Sequence, residues 1–354
     1  MKPKISRHIA ILIAGVFLLL ASCAPQSAAL PTETPELDQA TALPTLMTNP
    51  TEAPVDLPTP TASVQPATAT VERTSEAITL TDGLGREVTL DSPAQRIVSL
   101  APSNTEILYA VSAGDQVVGR DEFSNYPESA SDLPAVGGSF SDYNYESILA
   151  LQPDLVLAAE INTPEQVQVL EDLGLKVYLL PNPSTLEEMY ARLMTVAELT
   201  GHQAETEKLV ESLKERVANV EQQVAAAGDR PKVFYELDST DPSAPWTFGP
   251  GTFLDTLVSM AGGENVGSVL EDSYAQISIE ELLVQNPDII LLGDSAYGVT
   301  PESVQERTGW EAIQAVKEGK VYPFNDDLVS RPGPRLVDGL EAMAEIIHPE
   351  LFNK

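Results

Sequence analysis

The apolar positions of this chain fall into three regimes. Residues 9–21 form an unbroken apolar run behind Lys2, Lys4 and Arg7. That run is short for a bilayer span and is followed by small residues, which predicts a secretory signal rather than a membrane helix. From Ala24 to Ser75 the pattern vanishes: Pro, Thr and Ala dominate and aromatic residues are absent. Such a segment buries too little apolar surface to offset its ordering entropy, and its prolines extend it, so it reads as a tether.

From Ile78 onward, helix and strand periods take over. Residues 78–90 alternate on either side of a Gly-containing turn, which predicts two short strands. Apolar runs at 97–100, 117–119, 155–158, 177–180, 233–236, 289–292 and 321–324 do not alternate. Runs of that kind, separated by helical stretches, imply parallel sheet covered on both faces, hence an α/β fold. Ser103-Asn-Thr-Glu106, Thr163-Pro-Glu-Gln166 and Ser184-Thr-Leu-Glu187 read as capping boxes at helix starts. Pro164 and Pro301 fit first helical positions.

Two helical segments occupy the middle of the chain. The first runs from 184 to a stop near Gly201. The second, 203–227, sets Leu209, Leu213, Val217, Val220 and Val224 on one face. At about 1.5 Å per residue it spans roughly 35 Å, the width of a small domain. It is therefore expected to join two Rossmann-like lobes as a rigid connector, with a ligand cleft between them. An internal repeat supports two equivalent halves. Asn144-Tyr-Glu146 leads to Pro153-Asp154 and an apolar strand, and Ser278-Ile-Glu280 leads to Pro287-Asp288 and another, with a Glu-to-Pro spacing of seven in both. The expected organisation is a signal at 1–22, a tether at 23–75, an N-terminal α/β lobe at 76–183, a helical segment at 184–229 and a C-terminal α/β lobe at 230–354.

Charge and chemistry narrow the functions. With 20 Lys and Arg against 53 Asp and Glu, the net charge is −33. An acidic surface of that size argues against nucleic acid or anionic lipid bound through a basic patch. Cys23 is the single Cys, so no disulfide framework exists. His202 and His348, the two His beyond the signal, match no Ser or Cys triad motif, and no nucleotide-binding glycine loop is present. Nor do they form the His cluster expected of a receptor for bare Zn²⁺ or Mn²⁺. A lipid-anchored hydrolase remains the rival class, because an acidic chain offers many carboxylate pairs, although no spacing selects one.

Several segments carry a family resemblance. Leu20-Ala-Ser-Cys23 resembles the bacterial lipobox, which implies a lipid on Cys23. Thr81-Asp-Gly-Leu-Gly-Arg86, Ile97-Val-Ser-Leu-Ala-Pro-Ser-Asn-Thr-Glu106, the two Glu…Pro-Asp repeats and Arg331-Pro-Gly-Pro-Arg335 resemble the metal-complex receptors of ABC importers. That family binds cobalamin, ferric siderophores or haem. The resemblance implies a monomeric, extracytoplasmic, lipid-anchored solute-binding protein without catalytic activity or resident cofactor. Its partner would be a permease dimer and its cargo cobalamin or a ferric siderophore, with haem as the alternative. Cobalamin leads because Ser-Asn-Thr-Glu106 and Ser-Asn-Tyr-Pro127 look like segments of cobalamin receptors. The residues matching the family's permease contacts are Glu146 and Glu280.

Candidate ligand contacts follow from position and chemistry. Ser103 and Asn104 fall outside the carboxyl end of a strand, where open α/β sheets bind ligands. Tyr126, Phe140, Tyr143 and Trp246 lie in Gly-, Pro- and Ser-rich loops and offer flat contact area. Arg331 is a cation in a chain with few, and Asp326 and Asp327 are candidate acceptors for ligand amides or partners for Arg331. Arg335 is expected to pair within the fold.

Overall fold

The computed structural model of the protein describes residues 77–138 and 142–352. Residues 1–76, which include the expected signal, Cys23 and the tether, and the candidate Phe140 lie outside the described residues.

β1 (Ile78–Thr81) and β2 (Glu87–Leu90) pair antiparallel with Ile78 opposite Leu90, as the alternation predicts. Asp82 holds the turn by accepting the backbone N–H groups of Leu84 and Arg86, both at 3.0 Å. Gly85 sits there at φ +76°, a conformation that glycine adopts without a Cβ penalty. Burial raises the Asp82 carboxyl, but hydrogen bonds from Arg86 and Leu179 and the Arg86 charge outweigh it and leave the group below its ordinary value.

The N-terminal lobe follows as β3 (Ile97–Ser99), α1 (Pro102–Ala110), β4 (Val117–Arg120), α2 (Tyr145–Ala150), β5 (Leu155–Ala159), α3 (Pro164–Asp172) and β6 (Val177–Leu180). Then come α4 (Leu186–Thr200) and α5 (Gln203–Val224). The C-terminal lobe begins with β7 (Lys232–Glu236), β8 (Trp246–Phe248), α6 (Phe253–Met260), β9 (Glu264–Asn265), β10 (Tyr274–Gln276), α7 (Ile279–Gln285) and β11 (Ile289–Leu292). It closes with α8 (Pro301–Gln305), α9 (Gln314–Glu318), β12 (Val321–Pro323), α10 (Asp327–Ser330), α11 (Leu336–Ile347) and α12 (Pro349–Phe352).

Two parallel sheets result, ordered β4-β3-β5-β6 and β12-β11-β7-β9. Taken in chain order, the strands of each lobe run 2-1-3-4, so the sequence repeat is a repeat of topology. The Asp of each Pro-Asp pair has the same task in both halves. Asp154 accepts Gln95 N and Arg96 N at 2.8 and 3.0 Å, and Asp288 accepts Lys232 N at 2.9 Å. Each ties the entry of one strand to that of its neighbour.

The strands alternate not between core and water but between two cores. Leu155 and Leu157 on β5, and Ile289 and Leu291 on β11, enter one cluster that also contains Leu193, Leu213, Val217 and Leu340. Val156 and Ala158 enter a second cluster private to the first lobe, and Ile290 and Leu292 a third private to the second. This explains why the sequence runs lack polar alternation. It also means one apolar core runs through both lobes.

α5 has 22 residues, about 33 Å at the standard rise, and ends three residues short of the expected stop. It contacts α4 on one side and α11, α6 and α12 on the other. Leu213, Val217 and Val220 are its buried stripe, and Arg216 donates to Glu341 on α11 at 2.9 Å.

Two expected helix starts need correction. The box at Thr163–Gln166 forms as read, and Pro164 and Pro301 open their helices. Near 184 the cap is one residue later: Thr185 accepts Glu188 N, while Glu188 reaches back to Ser184 N. At Ser103–Glu106 no box exists, because α1 starts at Pro102 behind an Ala101 without a side-chain cap. Glu106 is instead drawn to cations from the other lobe.

Candidate functional site

The carboxyl ends of both sheets open onto one cleft. Three adjoining hollows of about 400, 390 and 420 Å³ lie there. The first has Ala101, Ser103, Phe123 and Ile161 on one side and Tyr297, Arg331 and Pro332 on the other. The second lies in the C-terminal lobe around Leu237, Ser239, Asp294 and Tyr297. The third runs past Asn182, Phe253, Tyr274 and Ser330. In a sheet ordered 2-1-3-4, strands 1 and 3 flank the point where chain direction switches, and ligands bind outside their carboxyl ends. The first hollow meets that point between β3 and β5, and the second meets it between β7 and β11.

Of the sequence candidates, Ser103 and Arg331 line the first hollow. Arg331 is already engaged. Its Nη1 donates to Glu106 Oε1 at 3.0 Å and to Asn125 Oδ1 at 2.7 Å, and its Nη2 pairs with Asp327 at 2.9 Å. Arg335 donates to the same Glu106 through Nε at 2.7 Å and lies 4.0 Å from the Tyr126 ring centroid. Glu106 therefore holds two guanidiniums of the opposite lobe, which makes this network a strut across the cleft. Asp327 serves the strut, and Arg335 pairs within the fold as expected. Tyr126 lines a separate hollow of about 330 Å³ beside α5.

Asn104 and Tyr143 do not face the cleft, contrary to expectation. Asn104 is 1% exposed and donates to the Leu157 carbonyl at 3.1 Å, fastening α1 to β5. Tyr143 is buried, donates to the Leu100 carbonyl at 2.9 Å and accepts from Asn162 at 2.7 Å. Burial pushes its phenol up to about 12. Nothing nearby in sequence signals these partners, the Leu157 and Leu100 carbonyls and the Asn162 side chain, which are remote along the chain.

Trp246 is 43% exposed but opens strand β8 rather than sitting in a loop, paired with Gln276 of β10. It does not line the three hollows, although its backbone bonds to Leu237 and Asp238, which do. Tyr297 escaped the sequence reading. It is 90% exposed and lines both the first and the second hollow. The signal was available: it follows β11 as Ala101 to Asn104 follow β3.

Asp294 was also missed. Gly293 lets the chain pass tightly here, since a Cβ would lie 2.5 Å from the Tyr235 ring and 2.9 Å from the Glu236 carbonyl. Asp294 Oδ2 accepts from Ser239 N and Oγ at 3.1 and 2.6 Å. Beside it, Arg307 forms a bidentate pair with buried Glu236, at 2.6 and 2.9 Å, and donates to Ser239 Oγ at 2.8 Å. Burial raises the Glu236 carboxyl, and Arg307 opposes that rise.

Glu146 and Glu280 occupy matching places away from the cleft. Each is the second residue of its helix, behind Asn144 and Ser278, whose side chains cap α2 and α7. Both are exposed, and neither has a polar side-chain partner among the described residues. The adjacent Glu281 differs, because it accepts from Gln285 at 2.7 Å.

Comparison with known proteins places this architecture. Residues 97–328 match the family described as Periplasmic binding protein. The Uncharacterized ABC transporter substrate-binding lipoprotein YvrC of Bacillus subtilis (strain 168) is 33% identical over 282 residues, covering 78% of this chain and 87% of its own length. A Vitamin B12-binding protein of Vibrio cholerae is 32% identical over 252 residues, covering 70% and 87%. The crystal structure of the periplasmic Vitamin B12 binding protein BtuF of Vibrio cholerae superposes with a TM-score of 0.61 at 29% identity, covering 74% of this chain and 99% of that one. The periplasmic heme-binding protein RhuT from Roseiflexus sp. RS-1 shares the fold, with a TM-score of 0.65 at 24% identity and coverage of 73% and 99%. The two-lobed architecture and the extent of these matches make the chain a member of the periplasmic binding protein family.

Proposed function

We propose that the protein captures a corrinoid of the cobalamin type in the interlobe cleft and delivers it to the permease of an ABC importer. Glu146 and Glu280 dock on that permease, and a lipid on Cys23 with the 23–75 tether holds the protein at the outer face of the membrane. The single observation that carries the reading is the cleft between two equivalent switch points, with an exposed Glu, without a side-chain partner among the described residues, at the same place in each half. Two carboxylates on a rigid body fix both position and orientation on a partner. Cobalamin ranks first among cargoes because relatives named for vitamin B12 are 32% identical over most of their length. It also suits a cleft in which Arg331, the one lining cation among the described residues, is already engaged by Glu106, Asn125 and Asp327. Ferric siderophores follow, and haem is third, since propionates find no unpaired cation among the described residues of the lining.

The test is calorimetric titration of the purified protein with cyanocobalamin, ferric siderophores and haemin. Saturable one-to-one binding of cyanocobalamin, micromolar or tighter, supports the reading. Binding of haemin or a siderophore in its place removes the corrinoid assignment, and silence across the panel removes the receptor reading itself.

A further inference from the structure

Among the described residues, two buried side-chain polar atoms lack a hydrogen-bond partner, Gln116 Oε1 and Asp294 Oδ1. A buried oxygen without a donor costs about 1–3 kcal/mol, so such an atom calls for an explanation. Gln116 lies away from the cleft, its Nε2 donating to the Thr200 carbonyl. Asp294 lines the second hollow, outside the carboxyl ends of β7 and β11, and is 4% exposed.

The surroundings define what would satisfy it. Oδ2 is taken by Ser239, which fixes the carboxyl plane and leaves the buried Oδ1 as the unpaired acceptor. The nearby cation, Arg307, is committed to Glu236 and to Ser239 Oγ. Asp238 lines the same hollow and adds a second acidic group. An anionic substituent would meet like charge here, whereas an N–H donor would meet an oriented acceptor. Among the described residues no group of three His, Cys, Asp or Glu side chains gathers as a metal site.

We propose that the Asp294 hollow is a donor subsite of the cleft, in which the carboxyl accepts an N–H bond from a primary amide on the rim of the cargo. The inference rests on the capture function above and deepens it, because it sets which periphery the cleft selects. Tyr297 lines both this hollow and the first, so a ligand lying across the cleft passes its exposed ring on the way to Asp294. Selection for amides over carboxylates is then a property of the C-terminal lobe, while Ser103, Phe123 and Ile161 supply a less polar wall opposite.

The experiment compares the whole protein with its Asp294→Asn variant, using cyanocobalamin and its monocarboxylate derivatives, each with one rim amide hydrolysed. Asn keeps the shape and the Ser239 contact but can present an N–H₂ where Oδ1 stood. Wild type is expected to bind at least one monocarboxylate about tenfold or more weakly than cyanocobalamin, the size of one charge-assisted bond. Asp294→Asn is expected to weaken cyanocobalamin by a similar factor and to abolish the discrimination against that acid. A purely structural role for Asp294 would weaken both ligands alike and leave the preference for amide over acid in place. Melting curves check that the variant folds, and Asp294→Ala takes its place if the amide variant melts early. Equal affinities of wild type and variant for every derivative overturn the subsite while leaving the receptor intact. If wild type binds a ferric siderophore instead, the corrinoid reading falls. The subsite then stands only if Asp294→Asn weakens that complex about tenfold. No binding of any complex overturns both.

Discussion

Glu106→Gln removes the charge at the centre of the strut and keeps its shape. The Glu106 side chain is 1% exposed, and those of Arg331 and Arg335 are 12% and 11% exposed. After the change, two guanidiniums face an amide that can offer them an N–H₂ as readily as an oxygen. Removing one partner of a buried ion pair costs about 3–5 kcal/mol. The lower end applies here, since Arg331 keeps Asp327 at 2.9 Å and Arg335 keeps the Tyr126 ring. At about 2–4 °C per kcal/mol for a body somewhat smaller than this one, roughly 3 kcal/mol lowers Tm by about 6–12 °C at most. The control is Lys176→Ala, which breaks a 3.4 Å pair whose side chains are 45% and 94% exposed. Exposed pairs contribute about 0–1 kcal/mol, so that variant should stay within a degree or two of wild type. Thermal melts followed by circular dichroism at low salt and at 0.5 M NaCl read both variants. The Glu106 loss should persist in salt, because buried pairs are screened little. A Glu106→Gln protein melting within about 2 °C of wild type would refute the argument that this network fastens the lobes.

Three further outcomes are expected. In vesicles carrying the cognate permease, Glu146→Lys and Glu280→Lys should each cut cargo-stimulated ATP hydrolysis several-fold while calorimetry shows cargo affinity unchanged. Stimulation left intact in both variants would remove them from the docking surface. Burial raises the Asp121 carboxyl against the bonds from Ser124 and Phe123 N, so the folded state holds that proton more tightly than the unfolded one. Wild type should therefore lose stability relative to Asp121→Asn as pH rises above about 4, the ordinary Asp value, and a relative gain in paired melts would contradict the sign. Gly267→Ala would set a Cβ 2.0 Å from the Phe248 carbonyl oxygen, a backbone atom that cannot turn aside. Tm should fall by several degrees, and an unchanged melt would mean that the β8 edge relaxes freely.

Much of the fold was legible because its signals are local. The strand runs, the cap at Thr163, the stop at Gly201 and the Glu…Pro-Asp repeat each lie within about a dozen residues, and each has its counterpart in the structure. Even the backbone repeats, since Gln152 and Asn286 both take φ +48° just before their prolines. The site was legible only in part. Glu106 looked like a capping residue because its true partners are 225 and 229 positions away. Tyr143 looked available because the Leu100 carbonyl and Asn162 that engage it are also remote. Asp294 is one acid among 53, and only its burial beside Ser239 distinguishes it.

The core that runs through both lobes also bears on how cargo leaves. A receptor whose halves swing on a hinge can release its load by opening, and part of its binding energy goes into holding the halves shut. Here Leu157 and Leu291, from sheets in different halves, belong to one apolar cluster. Spreading the jaws would pull that cluster apart. A cleft carried on such a shared core is expected to act as a gauge of nearly fixed width, its affinity set by fit rather than by closure. On the docking proposed above, prompt unloading would be driven from outside, by a partner pulling on Glu146 and Glu280.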